Sequence, residues 1–80
     1  MTTNDAVAIR IKQLLHERHM TLYRLEQRSG VYHGVMDRIM KGKNRTISLS
    51  TLLKLAQGFD MSVLQFLGDD VFLSDKLELD

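Results

Sequence analysis

The sequence predicts an all-α fold, a compact bundle of five short helices. Three observations predict it. Apolar residues recur three and four apart along most of the chain, the spacing that gathers them on one face of a helix. The 80 residues contain no proline and only 6% aromatics, which suits helices better than a β-sandwich. The 44% apolar content is mostly Leu, Ile, Val and Met, enough for a packed core rather than a disordered chain. Eighty residues make one domain, near the size at which a single core only just suffices. With no cysteine, neither a disulfide nor a thiolate metal site can add to that core. No run approaches a membrane span and no signal peptide is visible, so the cytoplasm is the expected location.

Residues 1–4 read as a frayed terminus. Asn4 or Asp5 is the expected cap of a first helix that runs to about Arg18 or His19 and buries Val7 or Ala8, Ile11, and Leu14 or Leu15. Thr21 is a good N-cap for a second helix over 22–28, which Ser29-Gly30 terminates. A third helix runs from Tyr32 or His33 to Met40 or Lys41, and Gly42 stops it. Residues 42–47 form a polar, basic loop. Ser48 opens a fourth helix to about Gly58, with Leu49, Leu52, Leu53, Leu55, Ala56 and Phe59 available for the core. Ser62 caps a short fifth helix, 63–67, which Gly68 ends. In the last twelve residues, Val71, Phe72 and Leu73 are too apolar for a plain solvated tail, and Leu77 and Leu79 alternate with charge. That segment packs back on the domain, pairs with a second chain or stays mobile.

Residues 21–42, TLYRLEQRSGVYHGVMDRIMKG, carry the functional signal. Leu22 and Leu25 are three apart on one helix, and Met36 and Ile39 are three apart on the next. Ser29-Gly30 sits where the chain must turn sharply, and Val31 can plug the corner. This is the layout of a helix-turn-helix, which sets its second helix in the DNA major groove. If Val31, Met36 and Ile39 face inward, then His33, Gly34, Asp37 and Arg38 face outward, with Val35 beside them.

Arg38 is the strongest candidate for base readout, because a guanidinium can donate twice to guanine. Its other uses are a phosphate contact or an ion pair with Asp37 or Glu26. His33 can donate to a base or phosphate, Val35 can touch a thymine methyl, and Gly34 permits close approach. Asp37 repels phosphate and must accept from cytosine or orient Arg38. Thr21, Tyr23 and Arg24 lie at the start of the second helix, whose N–H groups favour an anion, and Tyr32 can add a hydroxyl contact.

The net charge of +1 hides an asymmetry: residues 1–68 carry +5 and residues 69–80 carry −4. A basic body with an acidic tail fits a polyanion-binding domain whose tail has another job. On charge alone, ordinary solvated surface is the better explanation, because +5 is modest for nucleic-acid binding.

Residues 9–67 resemble the helix-turn-helix domain of the phage repressor and Cro family, also called the XRE family. The resemblance is carried by Ile11, Leu14, TLYRLEQRSGV, Met36, Ile39, the Lys41-Gly42 helix end and the block TLLKLAQGFDMSVLQFL. It implies a five-helix bundle of the lambda-repressor-like DNA-binding type, flanked by an extension over 1–8 and a tail over 68–80. It also implies binding to double-stranded operator DNA, commonly as a two-fold dimer on a palindromic site. Lys41, Lys43, Asn44 and Arg45 fall where the family touches the sugar-phosphate strand. The chain departs from the family in four places. Leu22 replaces a usual polar residue and Gly34 a usual base-reading side chain. The loop after the third helix lacks its usual proline. Glu26 replaces a small residue, so it must point along the edge or pair with a base such as Arg38.

One recognition helix reads few base pairs, so two copies must sit about 34 Å apart on the duplex. Leu64, Leu67, Val71, Phe72 and Leu73 are candidates for a homodimer interface, with packing inside one chain as the alternative. No enzyme is expected. The serines lie at caps and turns, no glycine-rich phosphate loop is present, and His16 with His19 lacks a third metal ligand. No cofactor is implied. These features point to a transcriptional regulator, a repressor of phage or prophage type with no residues left for a separate ligand-binding domain. The alternative is a protein-interaction module, such as the antitoxin of a toxin–antitoxin pair, that engages a partner through residues 69–80.

Overall fold

Thr2, rather than Asn4 or Asp5, starts the first helix in a computed structural model, which describes residues 1–44 and 46–79. The Thr2 hydroxyl accepts from the Asp5 N–H at 3.1 Å, and the Asp5 carboxylate accepts from the Thr2 N–H at 3.0 Å. This reciprocal pair satisfies two amides that a helix start leaves without partners. It also holds the Asp5 carboxyl below the usual carboxylate range, chiefly through the Thr2 amide. Asn4 is therefore inside the helix, and it is fully buried. The expected fraying of residues 1–4 is corrected by the chain's other end. Thr2 and Glu78 form an isolated parallel bridge, and the Glu78 N–H donates to the Met1 carbonyl.

The helices are α1 (Thr3–Glu17), α2 (Leu22–Ser29), α3 (His33–Met40), α4 (Leu49–Gly58) and α5 (Val63–Phe66), followed by a 3-10 turn over Asp70–Leu73. Thr21, Ser48 and Ser62 cap α2, α4 and α5 as their side chains predict, each accepting from an amide three residues on. Gly30 ends α2 in the left-handed conformation, φ 75°, which lets the chain reverse into α3 within three residues. The fold is all-α, with one core shared by every helix. Val7, Ile11 and Leu14 of α1 meet Leu25 of α2, Met36 and Ile39 of α3, Leu55 and Ala56 of α4, and Phe59 and Phe66 beyond them.

Phe59 and Phe66 stack with ring centroids 6.4 Å apart, and Phe72 tilts against Phe66 at 6.2 Å. Phe72 thereby brings the 3-10 turn onto the core. Arg10 of α1 secures the same region. Its guanidinium donates to the carbonyls of Phe66 and Gln65, at 2.7 and 2.9 Å, and pairs with Asp69 at 3.5 Å. A cation over the last carbonyls of a helix supplies partners those carbonyls otherwise lack. Of the three courses open to the tail, it takes the first and packs back.

The fourth helix corrects one expectation. Leu55, Ala56 and Phe59 are buried, but Leu49 and Leu53 lie on the outer side, 64% and 43% exposed. The helix carries more leucine than one buried stripe can absorb.

Helices α2 and α4 approach closely at Gly58. A Cβ built there would lie 2.8 Å from the Ser29 Cβ, 2.9 Å from the Leu25 side chain and 3.2 Å from the Ser29 Cα. The last contact is backbone, so relief requires the helices to part. Overpacking of this kind costs about 1–3 kcal/mol, which outweighs the helix propensity gained, at most about 1 kcal/mol. Gly58→Ala is therefore expected to lower the Tm by about 5–10 °C in a calorimetric scan, and Gly58→Val by more. An unchanged Tm would show that the crossing is looser than described.

Candidate nucleic-acid interface

The turn between α2 and α3 is held from within. Ser29 is buried, its Oγ accepts from the Val31 N–H at 3.2 Å, and Val31 is buried in the corner. Met36 and Ile39 lock the inner face of α3 into the core, each with no exposed surface. A further clamp comes from α1. The Asn4 Nδ2 donates to the Ile39 carbonyl at 2.9 Å, tying the start of α1 to the end of α3. Nothing in the local sequence marks this role. Asn4 reads as a cap, and only the three-dimensional meeting of two distant segments makes it a core residue.

With its inner face fixed, α3 turns the opposite face to solvent. Tyr32 is 81% exposed, and His33, Gly34 and Arg38 are exposed with it. Val35 and Asp37 are half-buried, Val35 because it packs against the core. A Cβ on Gly34 would meet no atom within 4 Å, so this position faces open space.

The charges on this surface are sorted in a way that sequence spacing did not reveal. The Glu26 carboxylate accepts from the His33 Nδ1 at 3.0 Å, with its second oxygen at 3.3 Å. The side chain of Glu26 is only 13% exposed, whereas that of His33 is 77% exposed. Hydrogen bonding to Glu26, helped by its charge, raises the His33 pKa above the ordinary histidine value. Asp37 pairs with Lys41 at 3.0 Å, one helical turn away. The two carboxylates named as possible partners of Arg38 are thus both engaged elsewhere. Among the described residues Arg38 has no ion pair or side-chain hydrogen bond, so its guanidinium faces solvent with its charge uncompensated.

The candidate phosphate-binding residues differ in what their side chains have free. Thr21 spends its hydroxyl oxygen on the Arg24 N–H at 3.1 Å, and Arg24 is exposed. The Tyr23 hydroxyl accepts from Gln27 at 3.0 Å and keeps its own proton to donate; the residue is 68% exposed. Lys43 is exposed, Asn44 is half-buried, and Lys41 is exposed but shared with Asp37. Arg45 lies outside the described residues. The candidate dimer residues separate. Leu64 and Leu73 are each 80% exposed, while Leu67 and Phe72 pack against the core and Val71 is half-buried. The free apolar surface of that group is therefore narrower than the sequence suggested, because Phe72 is drawn in by Phe66.

Among the described residues no helix is long and apolar enough to cross a membrane. No curated protein and no solved structure shows a significant match to the chain. The family model of the Cro/C1-type helix-turn-helix DNA-binding domain matches residues 10–70, from the first helix to the 3-10 turn. That span takes in the turn, the exposed helix and the core beneath them, and the chain belongs to the Cro/C1-type helix-turn-helix DNA-binding family.

Proposed function

We propose that this protein is a sequence-specific transcriptional regulator, a repressor of phage or prophage type acting in the cytoplasm, that lays α3 in the major groove of an operator. The observation that carries this is the Arg38 guanidinium, free among the described residues, on an exposed helix whose other charges are already paired. An uncompensated fork of donors beside His33 and Gly34 is suited to the acceptors of guanine. Val35, and Asp37 if it leaves Lys41, would meet a thymine methyl and a cytosine amino group. Thr21, Tyr23, Arg24 and Tyr32, together with Lys41, Lys43, Asn44 and Arg45, would hold the phosphates that flank the groove.

The molecule measures 32 × 23 × 21 Å, so a single copy covers about one turn of duplex at most. Two copies on an inverted repeat would double the readout. Leu64 and Leu73 are exposed apolar residues available to join them, with Leu67, Val71 and Phe72 half-buried. Selection of bound duplexes from a random pool at physiological salt tests this directly. An inverted repeat with half-sites about 34 Å apart is the expected product. A second reading is favoured by the exposure of Leu73 and Leu79, 80% and 79%, among the acidic residues of the tail. In it, residues 69–80 engage a partner protein in the manner of an antitoxin, and the pool would then yield duplexes without a shared sequence.

Salt dependence provides a separate check. Each phosphate contact releases counterions, so Lys43→Ala or Arg45→Ala is expected to reduce the slope of log affinity against log salt by about one. Both should weaken binding to all duplexes alike. A slope that stays at the wild-type value in both variants would remove these residues from the contact set.

A further inference from the structure

The family's usual small residue is absent at position 26, and the carboxylate that stands there is not solvated surface. It is mostly covered, and it faces the one histidine on the exposed helix. A carboxylate at neutral pH only accepts hydrogen bonds. The short contact therefore places a proton on the His33 Nδ1 and leaves the other ring nitrogen, Nε2, pointing away from Glu26. A hydrogen bond to one ring nitrogen commonly fixes which nitrogen of an imidazole does the outward work.

We infer that Glu26 is a positioning residue for base readout: it holds His33 by Nδ1, so that Nε2 alone meets the groove, reading guanine when the ring is charged and adenine or cytosine when it is neutral. The inference rests on the proposed placement of α3 in the major groove. With Nδ1 always protonated, the two states of the ring differ only at Nε2. In the imidazolium, Nε2–H donates, and guanine offers N7 and O6 as acceptors. In the neutral ring, Nε2 carries a lone pair and accepts, and the matching donors are the amino groups of adenine and cytosine. Without Glu26 the neutral ring could place its proton on either nitrogen, and the choice of base would blur.

The charged groups acting on the ring are Glu26 from α2, and Asp37 and Lys41 from its own helix. Asp37 and Lys41 oppose one another and are themselves paired at 3.0 Å, which leaves Glu26 in control. The raised pKa of His33, whose largest cause is its hydrogen bond to Glu26, agrees with this.

Two measurements test the inference. In the free protein, NMR titration of the His33 ring should show its midpoint falling toward the ordinary histidine value in Glu26→Gln. In random-pool selections at about pH 5.5 and about pH 8.5, the wild type should change its preferred base at one position in each half-site. Guanine should be favoured at the lower pH and adenine or cytosine at the higher, with the ratio moving about tenfold. His33→Gln should select the same base at both values, and its melting curve shows whether it is folded. An unmoved His33 midpoint in Glu26→Gln overturns the inference, as does the same selected base at both pH values in the wild type. If the wild type retains no duplex at either pH, the placement of α3 in the groove fails and the inference falls with it. Retention with an unchanging base sinks the inference alone.

Discussion

Asn4→Asp is expected to destabilise the domain by about 3–5 kcal/mol at neutral pH, the cost of leaving a buried charge without a counterion. A domain of this size has about 4–12 kcal/mol in total, so the variant would sit close to unfolding. The substitution changes no volume. It replaces the Nδ2 that donates to the Ile39 carbonyl with an oxygen, setting two acceptors against each other 2.9 Å apart. The site has no exposed surface, and the existing Oδ1 already lacks a partner. Two effects oppose one another, because a negative charge in the first turn of α1 gains from the helix dipole. That gain is about 0.3–1 kcal/mol and does not offset the burial.

The loss carries a pH signature with a definite sign. Burial raises the folded-state pKa of the new carboxyl above its unfolded value of about 3.9. Its contribution is therefore least harmful below that value and grows worse as pH rises through the folded pKa. When protonated, the carboxyl can again donate to Ile39, so the gap between variant and wild type should close in acid. Asp5, whose pKa is lowered, loses its stabilising bonds in acid, but it does so in both proteins and cancels in the difference. Urea titrations of the two proteins from about pH 3 to about pH 7 would measure this. Equal midpoints throughout would mean that Asn4 is not enclosed as described.

The second large effect concerns recognition. Arg38→Ala should leave the fold intact and reduce discrimination at one base pair by roughly tenfold to a hundredfold in each half-site. Where two copies bind together, the two losses compound. The side chain is exposed and carries no internal bond among the described residues, so its removal orphans nothing within the protein. Arg38→Lys separates the two components. A lysine restores the charge and the phosphate attraction but not the two-pronged donation to guanine. If Arg38 reads a base, lysine recovers affinity for random duplex and not the preference for the selected site. If lysine restores both, Arg38 is a phosphate contact and base readout lies elsewhere on α3.

Much of the architecture is written locally. Thr21, Ser48 and Ser62 mark helix starts because a short hydroxyl side chain there has one dominant use, and Gly30 marks an end because the turn demands a positive φ. The start of α1 was harder, since Thr2, Thr3, Asn4 and Asp5 are all competent caps. The choice is made by tertiary contact, as Asn4 is needed at Ile39. The outward set of α3 followed from the inward set, because Met36 and Ile39 leave little freedom. The pairing of charges did not follow. Glu26 and His33 are seven residues apart across a turn, and no periodicity links them. Excess also misleads: α4 has five apolar positions for a stripe that takes fewer, and composition does not say that Leu49 and Leu53 are the surplus.

Gly34 bears on how such a protein could change its target. Its place on the outer side of α3 is structurally vacant, with nothing within 4 Å of where a side chain would begin. Almost any residue installed there would cost the fold nothing, and would strengthen the helix by up to about 1 kcal/mol relative to glycine. In the proposed complex the same position looks into the groove. A single codon change could thus add a letter to the recognised word without any compensating repair in the core, which makes this the cheapest point at which the specificity could diverge or be re-engineered.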